Sequence, residues 1–424
     1  MSSTRRAIFL RQVTRTKLYP RTALVLLTAL NLLNYIDRSV LFAVQPLVQA
    51  EFHRSDADFG LLTSAFFIFY MVAAPVMGPL ADRYSRKLII VAGAVLWSGA
   101  TLLTAVTHSF QTLLVRHTLV GIGEASFVTI APTFVVDLFP EERRGRVLGV
   151  FYLTIPVGTA LGYLIGGYLG PRFGWRAPFY VGAIPGFVLA LALLFIPEPP
   201  RGQFDSLRET PERATIWGLA RNPAFWTATL GMATMTFALG GLQVWMPTFL
   251  SRVRGYSLES ANKIFGAMIA FDGTVASLAG GWLGDRLLPR HRSAYYSVSA
   301  VSMALGVPVM IIALFTTGRA MLPAILVAGF LLLLNTAPLN AAVINSVGAH
   351  IRATAIAVNI FTIHLLGDAL SPWLIGKISD RSSLESGFAS AVVAMVLSSA
   401  ILFYGMRFAP PMRVQPKPGG APAG

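Results

Sequence analysis

Hydrophobic positions along the 424-residue chain fall into twelve runs, roughly 22–47, 59–81, 88–107, 111–138, 147–170, 177–196, 224–250, 261–284, 293–316, 320–346, 353–377 and 386–407. A helix needs about 20 apolar residues to cross a bilayer, so each run is long enough to span one. The pattern predicts an all-α membrane protein of twelve transmembrane helices. The polar breaks are short except for 197–223. There Pro197-Glu198-Pro199-Pro200-Arg201 opens a segment that mixes proline with charge and reads as a linker. The expected organisation is a six-helix half at 1–196, the linker at 197–223, a second six-helix half at 224–407 and a tail at 408–424.

Composition agrees with this reading. The chain is 54% hydrophobic and only 12% charged, where soluble domains carry about 25% charged residues. A net charge of +15 raises the question of nucleic acid. The cations lie in short loops and at the termini without interleaved aromatics, which argues against nucleic acid as a partner. They are also one-sided: 23 of the 34 Lys and Arg fall in one alternate set of loops with both termini, against 9 in the opposite set. The positive-inside rule therefore puts both termini and the linker in the cytoplasm. The basic N-terminus runs into a long span with no small-residue cleavage site, so the first helix is expected to be retained. With no Cys there are no disulfides or thiolate metal sites, and no cofactor is expected. Compact loops, the lack of Cys and the lack of an Asn-x-Ser/Thr sequon point to a bacterial inner membrane, and a monomer is expected.

The break between the second and third runs reads Gly78-Pro79-Leu80-Ala81-Asp82-Arg83-Tyr84-Ser85-Arg86-Lys87. It must be a tight turn at a membrane surface. Gly78 would let two helices approach closely. Asp82 can pair with an arginine or with the positive end of a neighbouring helix. Arg83, Arg86 and Lys87 would hold the turn at the cytoplasmic face. An ordinary basic loop needs no such spacing, and a partial copy follows 203 residues later as Gly281…Asp285-Arg286. Arg144-Gly145-Arg146-Val147 matches Arg352-Ala353-Thr354-Ala355 at an offset of 208, and Gly162…Gly166 matches Pro372…Gly376 at 210. Three matches at a nearly constant offset mark the halves as copies. Gly78, Asp82, Arg83, Arg86, Asp285, Arg286, Arg144 and Arg352 are the expected conformational gate.

An ionisable side chain inside a span is costly and marks function unless a structural role explains it. Asp37 and Arg38, beside Tyr35, point about 100° apart. They read as a local ion pair with a snorkelling arginine, or as a proton-taking carboxylate facing the cavity beside an arginine that tunes it or grips an anionic headgroup. Glu124 follows Gly121 and Gly123, whose small size lets a helix or ligand come near. It reads as a packing hydrogen bond, or as the group that takes the driving proton. His364 and Asp368, four residues apart, share a helix face and can relay protons or simply cap each other. Asp272 is a lone acid beside Gly273, with packing and substrate contact equally open.

The ten residues from Gly78 resemble the signature between helices 2 and 3 of the major facilitator superfamily, with every specified position filled. Asn34-Tyr35-Ile36-Asp37-Arg38, Val120-Gly121-Ile122-Gly123-Glu124-Ala125-Ser126, Glu198-Pro199-Pro200-Arg201-Gly202 and His364-Leu365-Leu366-Gly367-Asp368 are similar to Spinster-type transporters. The resemblance implies two pseudo-symmetric six-helix halves, and export of lysophospholipids or sphingolipid-like amphiphiles coupled to protons. The family's helix 1 Asp and Arg map onto Asp37 and Arg38, and its helix 4 Glu onto Glu124. One departure stands out: the family's helix 4 arginine position holds His117, and the arginine is one residue earlier, Arg116. The sequence thus reads as a secondary transporter of an amphiphilic, lipid-like substrate. Asp37, Glu124, His364 and Asp368 are the proton-coupling candidates, and Tyr35, Arg38, Arg116, His117 and Asp272 the substrate-binding ones. The alternative is a proton-coupled carrier of small organic anions such as sugar acids. A receptor is disfavoured because the polar loops are too short for a signalling domain. An enzyme is disfavoured because no nucleophile–base set or metal cluster is present, and an ATP-driven pump because G-x-x-x-x-G-K-[ST] is missing.

Overall fold

The computed structural model describes residues 18–204, 216–348 and 351–410. The N-terminal basic stretch before residue 18, linker residues 205–215 and the tail beyond 410 lie outside them. Twelve long helices run through the described residues. In the first half these are α1 (Leu18–Ala43, continued by Gln45–Phe52), α2 (Asp56–Arg83), α3 (Arg86–Ala105), α4 (Phe110–Val136), α5 (Glu141–Phe173) and α6 (Ala177–Leu194). In the second they are α7 (Pro223–Thr248), α8 (Leu258–Leu287), α9 (Ala294–Phe315), α10 (Met321–Asn345), α11 (Arg352–Ile363, a π turn His364–Asp368, then Ser371–Arg381) and α12 (Leu384–Gly405). Short polar side chains start many of them. Ser55, Ser85, Ser109, Asn222, Ser257 and Ser383 each accept a backbone N–H three residues on, at the heads of α2, α3, α4, α7, α8 and α12. This satisfies a donor that has no intrahelical partner.

Eleven of these helices are long and apolar enough to cross a membrane. The exception is α7, read in the sequence as the seventh span. It is 26 residues long but diluted by Thr227, Thr229, Thr234, Thr236, Gly231, Gly240 and Gly241. Most of its residues are buried against other helices, so it has little lipid-facing surface to keep apolar.

Each half repeats one packing scheme. α1 lies on α5 and α6, α2 on α4, and α3 on α4 and α6; correspondingly, α7 lies on α11 and α12, α8 on α10, and α9 on α10 and α12. The halves meet mainly through two helix pairs, α5 with α8 and α2 with α11, with lighter contact between α1 and α7. The α2–α11 seam is so close that a Cβ on Gly60 would come within 2.4 Å of the Pro372 carbonyl, and one on Gly376 within 2.3 Å of the Asp56 carbonyl. Both glycines sit toward the end of the bundle where α1 finishes and α2 begins, here the far end. The opposite, terminal end holds the start of α1 and the end of α12. There, a Cβ on Gly78 would meet nothing within 4 Å. The close approach expected at Gly78 is therefore not made in this conformation.

Candidate functional site

At the centre of the first half, α1 and α4 bring together an arginine and a carboxylate. Arg38 Nη2 donates to Glu124 Oε2 at 2.7 Å. The Glu124 side chain is fully buried and that of Arg38 is 14% exposed. Glu124 Oε1 is buried without a hydrogen bond, with the buried Asn34 amide nearby. The guanidinium is ringed by aromatic faces, with centroids of Phe66, Tyr35, Tyr70 and Phe67 at 5.0, 5.2, 5.4 and 5.6 Å. Such a cation–π shell favours a desolvated cation. His117 lies two turns before Glu124 and stacks on Phe66 at 5.1 Å.

The second half closes on the same shell. His364 stacks on Phe67 at 6.1 Å and meets Tyr70 edge-on at 5.6 Å. Its Nδ1 lies 2.8 Å from Asp368 Oδ2, inside the π turn of α11, a distortion often found at functional sites. Tyr35, Arg38, Glu124, His117, His364 and Asp368 thus form one cluster across the two halves. Chemically, it offers one guanidinium that a carboxylate already engages, aromatic walls suited to apolar matter, and an imidazole on either side, His117 against Phe66 and His364 against Phe67 and Tyr70.

Three expected site residues lie elsewhere. Asp37 turns away from Arg38, toward α3 and α6. Thr101 Oγ1 is 3.5 Å from its Oδ2, and the carboxylate fits only because residue 182 is glycine, where a Cβ would come within 2.0 Å of Oδ1. The 100° between adjacent helix positions separates it from the cavity face. Arg116 also points away. It donates to the Leu103 carbonyl and, at 2.6 Å, to Thr107 Oγ1, capping the C-terminal end of α3; His117 alone projects into the cluster. Asp272 is buried between α8 and α10 beside Gly329, with Oδ1 lacking a partner.

The expected gate residues show a mixed picture. Asp82 is exposed, and no ion pair to its carboxylate is present among the described residues. Arg83 is exposed at the end of α2. Arg86, expected as a surface anchor, is instead buried, 2.5 Å from Asp137 and 3.3 Å from Glu198. Asp285 accepts the Tyr295 hydroxyl at 2.7 Å and Arg286 lies over Trp282. Arg144 lies near the start of α5 and Arg352 opens α11.

The start of the linker explains the burial of Arg86. Glu198 accepts the Ser85 hydroxyl at 2.5 Å and the Arg86 backbone N–H at 3.0 Å. Burial works against the Glu198 anion, but these bonds outweigh it and hold the carboxyl below its ordinary value. Gly202 N–H donates to Asp137 Oδ1 at 3.0 Å, and Arg201 donates to the last carbonyls of α2 at Ala81, Asp82 and Tyr84. The segment 197–202 is therefore a strap across the 78–87 turn rather than a free linker.

Sequence reasoning also missed the far end. Asp56, the first residue of α2, accepts Arg252 Nη1 at 2.8 Å on both oxygens, Ser379 Oγ at 2.6 Å and Gln49 Nε2 at 2.8 Å. Asp380 from α11 accepts the backbone N–H groups of Asp56 and Ala57 at 2.8 and 2.9 Å. Arg172 pairs with Glu259 at 2.8 Å across the α5–α8 seam. Short polar residues at helix ends read as caps, and nothing in their spacing reveals that the partner lies in the other half.

Two six-helix halves of one packing scheme, meeting around a buried charge cluster, define a membrane transporter rather than an enzyme. The Major Facilitator Superfamily model matches residues 27–372. Human protein spinster homolog 1 is 37% identical over 390 residues, covering 85% of this chain and 74% of that protein. The zebrafish (Danio rerio) sphingosine-1-phosphate transporter SPNS2 is 36% identical over 403 residues, covering 89% and 79%. The crystal structure of a bacterial homolog of the human lysosomal transporter Spinster, inward-facing and unoccupied, superposes with a TM-score of 0.85 at 26% identity, covering 93% of this chain and 98% of that one. The chain belongs to the Major Facilitator Superfamily and, within it, to the Spinster proteins. It is a multi-pass integral membrane protein.

Proposed function

We propose that this transporter moves an amphiphilic, lipid-like substrate by alternating access and couples that movement to protons. The observation that carries the reading is the Arg38–Glu124 pair inside an aromatic shell that both halves complete. A lysophospholipid or sphingolipid phosphate would take Arg38, and its chain would lie along Phe66, Phe67 and Tyr70. The guanidinium cannot serve both anions fully, so headgroup binding weakens its hold on Glu124. A carboxylate left in low dielectric without its cation favours the protonated form. An anionic headgroup and a proton therefore bind together, whereas a cationic headgroup drawn to Glu124 would expel the proton. The sign of coupling follows from headgroup charge. His364–Asp368, on the facing helix, is the natural second proton site. The relatives named for spinster and for sphingosine-1-phosphate transport support the substrate class. The seal across the halves at Asp56, with the cation-rich terminal end opposite it, supports an inward-facing state with the termini cytoplasmic.

The test is uptake of a lysophospholipid or a sphingoid phosphate into proteoliposomes under an imposed pH gradient, with a sugar acid in parallel. Wild type should accumulate the amphiphile. Glu124→Gln, which mimics the protonated carboxyl, should lose gradient-driven accumulation while keeping exchange at equal pH. Full accumulation by Glu124→Gln would remove Glu124 from coupling, and transport of the sugar acid alone would overturn the lipid reading.

A further inference from the structure

A cavity of about 400 Å³ lies at the terminal end of the second half, away from the cluster around Arg38. It is bounded by the end of α8, the start of α9, the end of α10 and the start of α11. Leu288, Arg292, Tyr295, Asn345, Ser346 and Arg352 line it. Neither guanidinium meets a carboxylate within 4.0 Å among the described residues, and Arg352 Nε is buried without an acceptor. The acid at its rim, Asp285, is occupied by the Tyr295 hydroxyl at 2.7 Å and does not line the cavity. Arg352 is also the first residue of α11, whose N-cap, Ile351, offers no side-chain acceptor. No side chain at that N-cap position therefore competes with a ligand for the leading amides of that helix.

Two guanidiniums without a carboxylate partner line one cavity, and one of them carries a buried unused donor. We propose that this cavity binds a phosphate-type anion, either free phosphate or the headgroup of a membrane phospholipid. Arginine forks match phosphate oxygens bidentately. The cavity lies among helix ends, and Leu288 supplies an apolar wall that a glycerol backbone can cover. A phosphate has more acceptor oxygens to share between two guanidiniums than a carboxylate has, and a halide cannot pair bidentately with either.

The experiment uses the full-length protein, delipidated in detergent, with two probes: inorganic phosphate at matched ionic strength, and short-chain phosphatidate below its critical micelle concentration. Binding is read by thermal unfolding and by native mass spectrometry. Wild type should bind at least one probe saturably. Arg292→Gln and Arg352→Gln should each weaken that binding about tenfold or more, and Arg292→Lys should weaken it less. Saturable binding of inorganic phosphate supports the free anion, and binding of phosphatidate alone supports the lipid. Arg292 is exposed, so its substitution tests the site even if Arg352→Gln fails to fold. No saturable binding of either probe, or affinity unchanged in Arg292→Gln, overturns the proposal.

Discussion

Asp380→Ala gives a direct measure of what holds the far end shut. The Asp380 carboxylate, on α11, caps two backbone N–H groups of α2 at 2.8 and 2.9 Å. Those amides have no intrahelical acceptor. The cap belongs to one half and the capped helix to the other, so its energy exists only while the far end is sealed. Loss of an N-cap acceptor costs about 0.5–2 kcal/mol. A cost of about 1–2 kcal/mol is a factor of roughly 5–30 in an equilibrium. Asp380→Ala should shift the population by that factor toward the state open at the far end. The chain contains no cysteine, so spin labels at Gln111→Cys and Thr317→Cys, exposed far-end positions in opposite halves, report without background. Their distance distribution in lipid should gain or enlarge a longer component. Asp58→Ala is the control: Asp58 pairs with Arg54 of its own half at 3.7 Å and should leave the distribution unchanged. A parent-like distribution in Asp380→Ala, or an equal shift in Asp58→Ala, refutes the reasoning.

Other expectations follow from the same contacts. Arg38→Ala leaves Glu124 buried without its cation and should cost about 3–5 kcal/mol of stability, read by chemical denaturation in detergent. Arg38→Lys should fold but lose substrate affinity, because an ammonium cannot reproduce the fork. Arg116→Ala should lower thermal stability by the loss of a helix C-cap yet leave substrate Kd unchanged, whereas His117→Ala should raise Kd at similar stability; paired binding and melting curves separate the two. Glu198→Gln should loosen the strap over the 78–87 turn and expose Arg86 to proteolysis. Because the Glu198 carboxyl is held below its ordinary value, its contribution is fully present above that value and is lost as pH falls through the lower folded-state value. Acid should therefore destabilise wild type in that window and Glu198→Gln much less, as followed by melting temperature against pH.

Much of the architecture was legible because it rests on local chemistry. Apolar run length gives the spans, and the offsets near 203–210 give the two halves. α7 shows the limit of run length, since a helix enclosed by protein needs no apolar exterior. At the site, Glu124, Arg38 and the His364–Asp368 pair were legible as charges where charge is expensive. Phe66, Phe67 and Tyr70 were not, because aromatics in a span are ordinary until the guanidinium over them is seen. Asp37 and Arg116 lie outside the cluster for one reason: each is one residue from a cluster residue, and one residue is about 100° of helix. Asp56, Asp380 and Arg86 were missed as partners because their contacts join segments 51 to 324 residues apart.

In this reading, site and gate communicate through the same two helices. α2 carries Phe66, Phe67 and Tyr70 at its middle and the capped Asp56 at its far end. α11 carries His364 and Asp368 at its middle and the capping Asp380 at its far end. A headgroup entering the shell must part His364 from Phe67 and Tyr70, or draw them closer. Either change moves α2 against α11, and the seam at Gly60 and Gly376 is too tight to slide without disturbing the cap. A ligand shifts such an equilibrium only by its differential affinity for the two states. The cap's roughly 1–2 kcal/mol is thus one part of what substrate and proton must overcome to open the far end, beside the Arg252–Asp56 and Arg172–Glu259 pairs. Asp380→Ala should therefore lower the substrate concentration that half-opens the far end, by about the same 5–30-fold as it shifts the empty protein. Labelled Asp380→Ala titrated with substrate tests this. A shifted resting equilibrium with an unshifted titration midpoint would mean that the lock and the site are independent.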